Sequence, residues 1–367
     1  MKLMLAALLA LFAVTACRHP IEIIGEGDVM SATGDRDCLL EDYEARLANC
    51  VENDVRGAYE ETYFAVPRTG WQFGGWGQHY CLTDSGGEGC YFSIQADQVK
   101  EFINEKMPPL AAYFRREVTR AHNAVLMGHS FFDPIAQNTE RYFPRAGFEK
   151  HRQQRFSAGA SGGAPISFWE DTGSNNSGIK KALDEGGITL LGMTYFPLDD
   201  IDRNFEGFRN WVNYARSNNP EITVFLSVAW PLDPSRLTLD EYREPWLKVA
   251  HPEIHSYIDA LREEFPDNDF YCIPYGLAGI ELKKLFEAGA LPGMNGLVGD
   301  YNTAVFSDDM GHANGILIEL ASLMWLRAIY GTDLIAYDHS GSYASSADLA
   351  TLAQQLLAQH DNRYSAP

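Results

Sequence analysis

The chain has 367 residues, 46% of them hydrophobic and 12% aromatic, which suffices for a large core and excludes a disordered or fibrous polypeptide. Its formal net charge of -21 excludes nucleic-acid binding and an electrostatic grip on anionic lipid, both of which need a basic surface.

Residues 1–16 read as an export signal, because Lys2 is followed by the apolar stretch Leu3 to Val14, too short to span a bilayer of about 30 Å. Val14-Thr15-Ala16-Cys17 resembles the bacterial lipobox. That likeness implies cleavage before Cys17, lipid modification of its sulfur, and sorting to the outer membrane, since Arg18 follows. No later segment is both long and apolar enough to cross a membrane; Ile316 to Ala328 contains Glu319 and Arg327.

Residues 17–34 read as a tether. Residues 35–95 form a cysteine- and aromatic-rich region with a helix expected at 38–50 and the glycine-rich run Gly70 to Gly77. In an oxidising compartment, the local pairs Cys38–Cys50 and Cys81–Cys90 are the simplest pairing of four cysteines that allow three connectivities. Cys272 is left free in the apolar run Phe270 to Ile273. The aromatics of 71–76 suit stacking on sugar rings, but packing beneath a loop is the commoner cause of such a cluster.

From residue 96 onward, helices alternate with apolar strands. A helix from Ala96 to about Thr119, interrupted at Pro108-Pro109, leads into a strand at 124–128, and further strands follow at 154–158, 188–193, 222–230 and 270–273. Helices are expected at 177–185, 204–217, 252–264, 280–288, 313–330 and 346–359. This rhythm predicts a three-layer α/β/α sandwich with a mostly parallel, flavodoxin-like sheet over residues 96–367.

The strand at 124–128 ends in Gly128-His129-Ser130, which delivers a hydroxyl to the carboxyl end of the sheet, where such folds keep their sites. Serine is a weak nucleophile until a base takes its proton, and the base needs a carboxylate to fix its tautomer. Asp309-Met310-Gly311-His312 offers both on one turn. Ser130, His312 and Asp309 are therefore the candidate nucleophile, base and orienter. Ser130 does not sit in the Gly-x-Ser-x-Gly elbow, which would need a glycine at residue 132, where the chain has phenylalanine.

These blocks, together with Gly159-Ala160-Ser161-Gly162 after the second strand, resemble the SGNH (GDSL-type) hydrolases over residues 122–330. The resemblance implies that the N–H groups of Ser130 and Gly162 form an oxyanion hole. Its third block departs from the pattern: Gly192-Met193-Thr194-Tyr195 stands where the family has an asparagine. Thr194, or one of Asn175, Asn176 and Asn204, is left to fill that role. Losing one such donor costs about 10²–10³ in rate. His129 and Trp169 are candidates for lining the substrate cleft.

The sequence supports no metal or cofactor site. His79 and His151 lack partners at ligand spacing, and Asp199-Asp200-x-Asp202 lacks the rest of a calcium loop. The expected activity is hydrolysis of a carboxylic ester, with a small-molecule or carbohydrate ester as substrate and the membrane reached only through the lipid anchor. A binding lipoprotein on a decayed scaffold, and a lipid- or thioester-acting hydrolase or acyltransferase, are the other readings.

Overall fold

The computed structural model describes residues 17–55, 58–77, 81, 89–95, 109–116, 121–197, 201–335, 337, 343 and 345–366. The proposed signal segment 1–16, His79, Asp199, Asp200 and the expected helical stretch 96–108 lie outside them. The chain divides into two compact units, Met1–Arg115 and Arg116–Pro367.

The first unit is mostly β. A two-residue ladder pairs β1 (Cys17–Arg18) with β4 (Asp54–Val55). One three-stranded sheet has the order β2 (Ile21–Ile24), β8 (Leu110–Arg116), β6 (Trp71–Trp76); the other is the antiparallel set β3 (Gly27–Ser31), β5 (Tyr59–Pro67), β7 (Gly89–Ile94). Two short helices, α1 (Leu40–Glu44) and α2 (Ala48–Val51), occupy the stretch expected as one helix at 38–50. Both expected disulfides are present, Cys38–Cys50 and Cys81–Cys90. Trp71, Phe73 and Trp76 pack against the core of this unit, so the glycine-rich aromatic run contributes packing.

Three expectations are corrected here. Residues 17–34 are not a free tether, because Ile21 and Ile23 are buried in alternation with more exposed neighbours, the period of a strand. Residues 110–116 are a strand rather than the end of a helix. Leu110 to Phe114 are all buried, as a central strand flanked by β2 and β6 requires. The boundary between units accordingly falls at Arg115, about twenty residues beyond the position read from the change of rhythm.

The second unit has a five-stranded sheet in the order β10 (Arg152–Ser157), β9 (Asn123–Gly128), β11 (Leu190–Tyr195), β12 (Thr223–Val228), β13 (Phe270–Ile273). Every pairing is parallel. In chain order this is 2-1-3-4-5, the doubly wound arrangement of flavodoxin-like sheets. The inner strands are largely apolar because helices cover both faces. On one face lie α3 (Asp133–Arg145) and α10 (Gly315–Tyr330). On the other lie α5 (Ser174–Asp184), α6 (Ile201–Arg216) and α8 (His251–Glu264). Between them the chain adds α4 (Pro165–Glu170), α7 (Leu239–Pro245), α9 (Gly276–Glu287), α11 (Leu349–Ala358) and the small ladder β14 (Gly296–Val298) with β15 (Ala304–Phe306). Helix α10 is buried almost throughout, which accounts for its apolar composition. Among the described residues, no helix is long and apolar enough to cross a membrane.

Such a sheet opens a crevice at the carboxyl ends of the strands where the chain order reverses. Here that point lies between β9, which leads outward to β10, and β11 on its other side. Ser130 follows β9 directly.

Candidate active site

Gly128 closes β9, and the chain then makes a tight turn into α3. Phe132 N–H and Asp133 N–H both donate to the His129 carbonyl, at 2.9 and 3.1 Å. The turn leaves Ser130 partly exposed, and its backbone N–H makes no hydrogen bond among the described residues.

His129 is part of the scaffold beneath the serine. Its ring is buried, with Nδ1 accepting from Phe131 N–H at 3.2 Å and Nε2 facing the Tyr195 carbonyl at 3.3 Å. A backbone N–H can only donate, so Nδ1 is the acceptor and the proton sits on Nε2. The imidazole thus ties the end of β9 to the end of β11. Burial, the dominant cause, lowers its pKa to about 4, keeping it neutral. His129 is therefore removed from the residues expected to line the cleft.

The hydroxyl of Ser130 meets His312 across 182 positions of sequence: Oγ lies 2.9 Å from Nε2. On the other side of the ring, Nδ1 lies 2.7 Å from Oδ2 of Asp308. With Nδ1–H donating to the carboxylate, Nε2 is free to accept from the serine. Asp308 also organises the loop, since its Oδ1 accepts from Gly311 N–H at 3.0 Å and His312 N–H at 3.1 Å. Partial burial pushes the Asp308 carboxyl up, but the His312 N–H, the imidazole and the Gly311 N–H outweigh it and hold its pKa below the usual value.

The acid beside the histidine is therefore Asp308 and not Asp309. Asp309 turns away and accepts from the Ser235 hydroxyl at 2.6 Å. The reason lies in the backbone, because Gly311 has φ +101, a conformation suited to glycine. That reversal carries the chain back so that Ser307 N–H donates to the His312 carbonyl at 2.8 Å. In this loop the residue four before the histidine, rather than three, lies under the imidazole.

Aromatic rings brace the pair. Phe131 stacks on Trp230 with centroids 5.3 Å apart and presents its face or edge to His312 at 5.1 Å and 84°. Trp230 Nε1 donates to the Gly311 carbonyl at 2.7 Å, anchoring the loop that holds the histidine. Neither Asp308 nor Trp230 was singled out from the sequence. The adjacent aspartates Asp308-Asp309 and the nearby glycine were the only signal for the former, and Trp230 gave none beyond ending a strand.

The expected oxyanion donors fare differently. Gly162 N–H is already committed to the Gly159 carbonyl at 3.0 Å, inside the 3₁₀ turn Ala160–Gly163, so it is not free for a ligand. Thr194 is fully buried and donates to the Ser227 carbonyl at 3.4 Å. Asn176 caps the end of α4 through the Phe168 and Trp169 carbonyls, and Asn204 holds the Phe196 carbonyl. The backbone N–H of Ser130 is the expected donor that keeps its availability. Trp169 packs against Trp211, Tyr214 and the Lys180 ammonium, a helix contact rather than a cleft wall. His151 is likewise satisfied, between Tyr330 Oη at 2.6 Å and Gln153 Oε1 at 3.0 Å.

No protein-family model matches the chain, and no curated protein matches it. Among the solved structures that resemble it in part are two acyl-transferring proteins. One is the periplasmic domain of a lipopolysaccharide acetyltransferase from Salmonella ser. Paratyphi A, at 12% identity and a TM-score of 0.30 over 42% of this chain and 67% of that one. The other is salicylyl-acyltransferase SsfX3 from a tetracycline biosynthetic pathway, at 12% identity and a TM-score of 0.34 over 66% of this chain and 60% of that one.

Proposed function

We propose that the protein is a serine-dependent acyl hydrolase of the SGNH type, acting on carboxylic esters through Ser130, His312 and Asp308. One observation carries this reading: the continuous hydrogen-bonded series from Ser130 Oγ to His312 Nε2 at 2.9 Å and from His312 Nδ1 to Asp308 at 2.7 Å. The distances fall within the range for a base and its nucleophile.

In this scheme His312 Nε2 takes the proton as Ser130 Oγ attacks the ester carbonyl. Asp308 fixes the tautomer and stabilises the imidazolium. The developing oxyanion lies against the Ser130 N–H, at the start of the turn into α3, where the positive end of a helix favours negative charge. The imidazolium then protonates the departing alcohol, leaving an acyl-serine. Water, deprotonated by the same imidazole, completes the hydrolysis.

The dyad is open, with side-chain exposures of 32% for His312 and 48% for Asp308. This exposure gives water access to an acyl-serine, as hydrolysis requires. The proposed export and the lipid at Cys17 would put the enzyme beside polysaccharides, so O-acyl groups of carbohydrates are the proposed substrate class. Membrane release of a Cys17→Ser chain supports that placement, and continued membrane association counts against it.

Hydrolysis of a chromogenic acetate ester tests the activity. Ser130→Ala and His312→Ala are expected to lower kcat to the background of the folded scaffold, while circular dichroism stays that of wild type. A folded wild-type protein without esterase activity on short-chain esters, or a fully active Ser130→Ala, contradicts the proposal.

A further inference from the structure

Away from Ser130, three histidines and the free cysteine converge inside the second unit. His251 and His255 lie one turn apart in α8, Cys272 is on the edge strand β13, and His360 follows α11. One ligand atom from each lies within 4.8 Å of all the others. His255 Nε2 and His360 Nε2 face each other at 3.0 Å. His251 Nε2 is buried without a hydrogen-bond partner among the described residues. Cys272 is buried and unpaired by any disulfide.

A core histidine cluster held only by hydrogen bonds does not explain this arrangement. Two facing imidazole nitrogens can share one proton, but that satisfies neither His251 Nε2 nor the thiol. A cation at the centre satisfies all of them. Metal–nitrogen and metal–sulfur bonds of about 2.0–2.3 Å put tetrahedral ligand atoms about 3.3–3.7 Å apart, and the four atoms here already lie within 4.8 Å of one another. The rings are already oriented by stacking, His251 on Trp246 and His255 on Tyr364.

We propose that His251, His255, Cys272 and His360 form a tetrahedral site for a divalent transition metal ion, zinc foremost, joining α8, the edge strand and the C-terminal segment. Imidazole and thiolate donors without a carboxylate select such an ion over calcium or magnesium. Four protein ligands leave no open position, so the role is structural. Binding converts the Cys272 thiol to thiolate and releases its proton to solvent. The metal would lock the segment after α11, where Tyr364 Oη already donates to Asp259 and Arg262 to the Arg363 carbonyl.

The test uses full-length protein made without a histidine tag and as Cys17→Ser, so that Cys272 is the remaining thiol. After chelator treatment it is titrated with cobalt(II). The expected result is one equivalent bound, with tetrahedral visible bands and a thiolate-to-cobalt charge-transfer band in the near ultraviolet. Zinc should displace the cobalt and raise Tm. Cys272→Ser should lose the charge-transfer band, and His360→Gln should lose stoichiometric binding. If either variant fails to fold, the wild-type spectrum and the zinc-dependent Tm shift decide alone. Folded, metal-stripped protein with neither a tetrahedral cobalt spectrum nor a Tm rise overturns the proposal, as does a charge-transfer band that survives in Cys272→Ser.

Discussion

Asp308 and Asp309 are neighbours with opposite surroundings, one against an imidazole and two N–H groups, the other against a serine hydroxyl. Both spacings, three and four residues before His312, are compatible with a turn, and only the left-handed backbone at Gly311 decides between them. That conformation is not encoded in the spacing, which is why the histidine was legible and its acid was not. Asp308→Asn is expected to lower kcat by about 10⁴ by leaving the wrong tautomer, as in other serine triads. Asp309→Asn should stay near wild type. Steady-state kinetics of the two variants side by side check this, and the opposite ranking returns the role to Asp309. His129 gives a second prediction. Its pKa falls from 6.5 to about 4 on folding, chiefly through burial. Between those values the unfolded chain holds a proton that the native state does not, so stability must fall as the pH drops through that window. The slope is up to about 1.4 kcal/mol per pH unit. Urea denaturation at neutral and mildly acid pH should show a smaller acid loss in His129→Asn than in wild type.

At the scale of elements, the strands were readable because burial on both faces demands largely apolar runs. The inner strands at 123–128, 190–195 and 223–228 are apolar but for Asn123, Thr194, Thr223 and Ser227, and the edge strand at 270–273 is buried throughout. Helix α3, which carries the serine's turn into the sheet's covering layer, was missed. Its sequence holds Pro134 at its start, Pro144 near its end and a polar composition between. Proline is tolerated in the first turn, but it erases the pattern by which a helix is read. The strand β8 was missed for the converse reason, an apolar run mistaken for a helix face. The short loop before α4 has a role no motif displayed. A Cβ on Gly163 would sit 2.6 Å from His129 Cα and 2.7 Å from the Gly128 carbonyl, so the loop seats directly on the strand end that carries Ser130. Gly163→Ala is expected to destabilise the second unit by about 1–3 kcal/mol through overpacking and to lower kcat by displacing Ser130. Thermal melting together with kinetics checks both, and an unchanged kcat would sever the loop from the site.

For the whole molecule, each unit has its own hydrophobic core. Their limits were hard to read because residues 17–34 and 110–116 contribute strands to the first unit from both ends of its sequence. Both disulfides lie in that unit, and Cys38–Cys50 closes a separation of 12 residues, a loop worth about 3 kcal/mol of chain entropy. Reduction should therefore lower the melting temperature of the first unit while the proposed esterase activity of the second persists. Calorimetry with and without reductant, paired with an activity assay, reads both. Loss of activity on reduction would tie the site to the disulfide region. The proposed mechanism turns on Ser130 as a nucleophile activated by His312. Its most direct measurement is reaction of the folded protein with a fluorophosphonate, followed by peptide mapping of the adduct. A single adduct on Ser130, absent from His312→Ala, is the predicted result. No adduct, or an adduct on another serine, would contradict it.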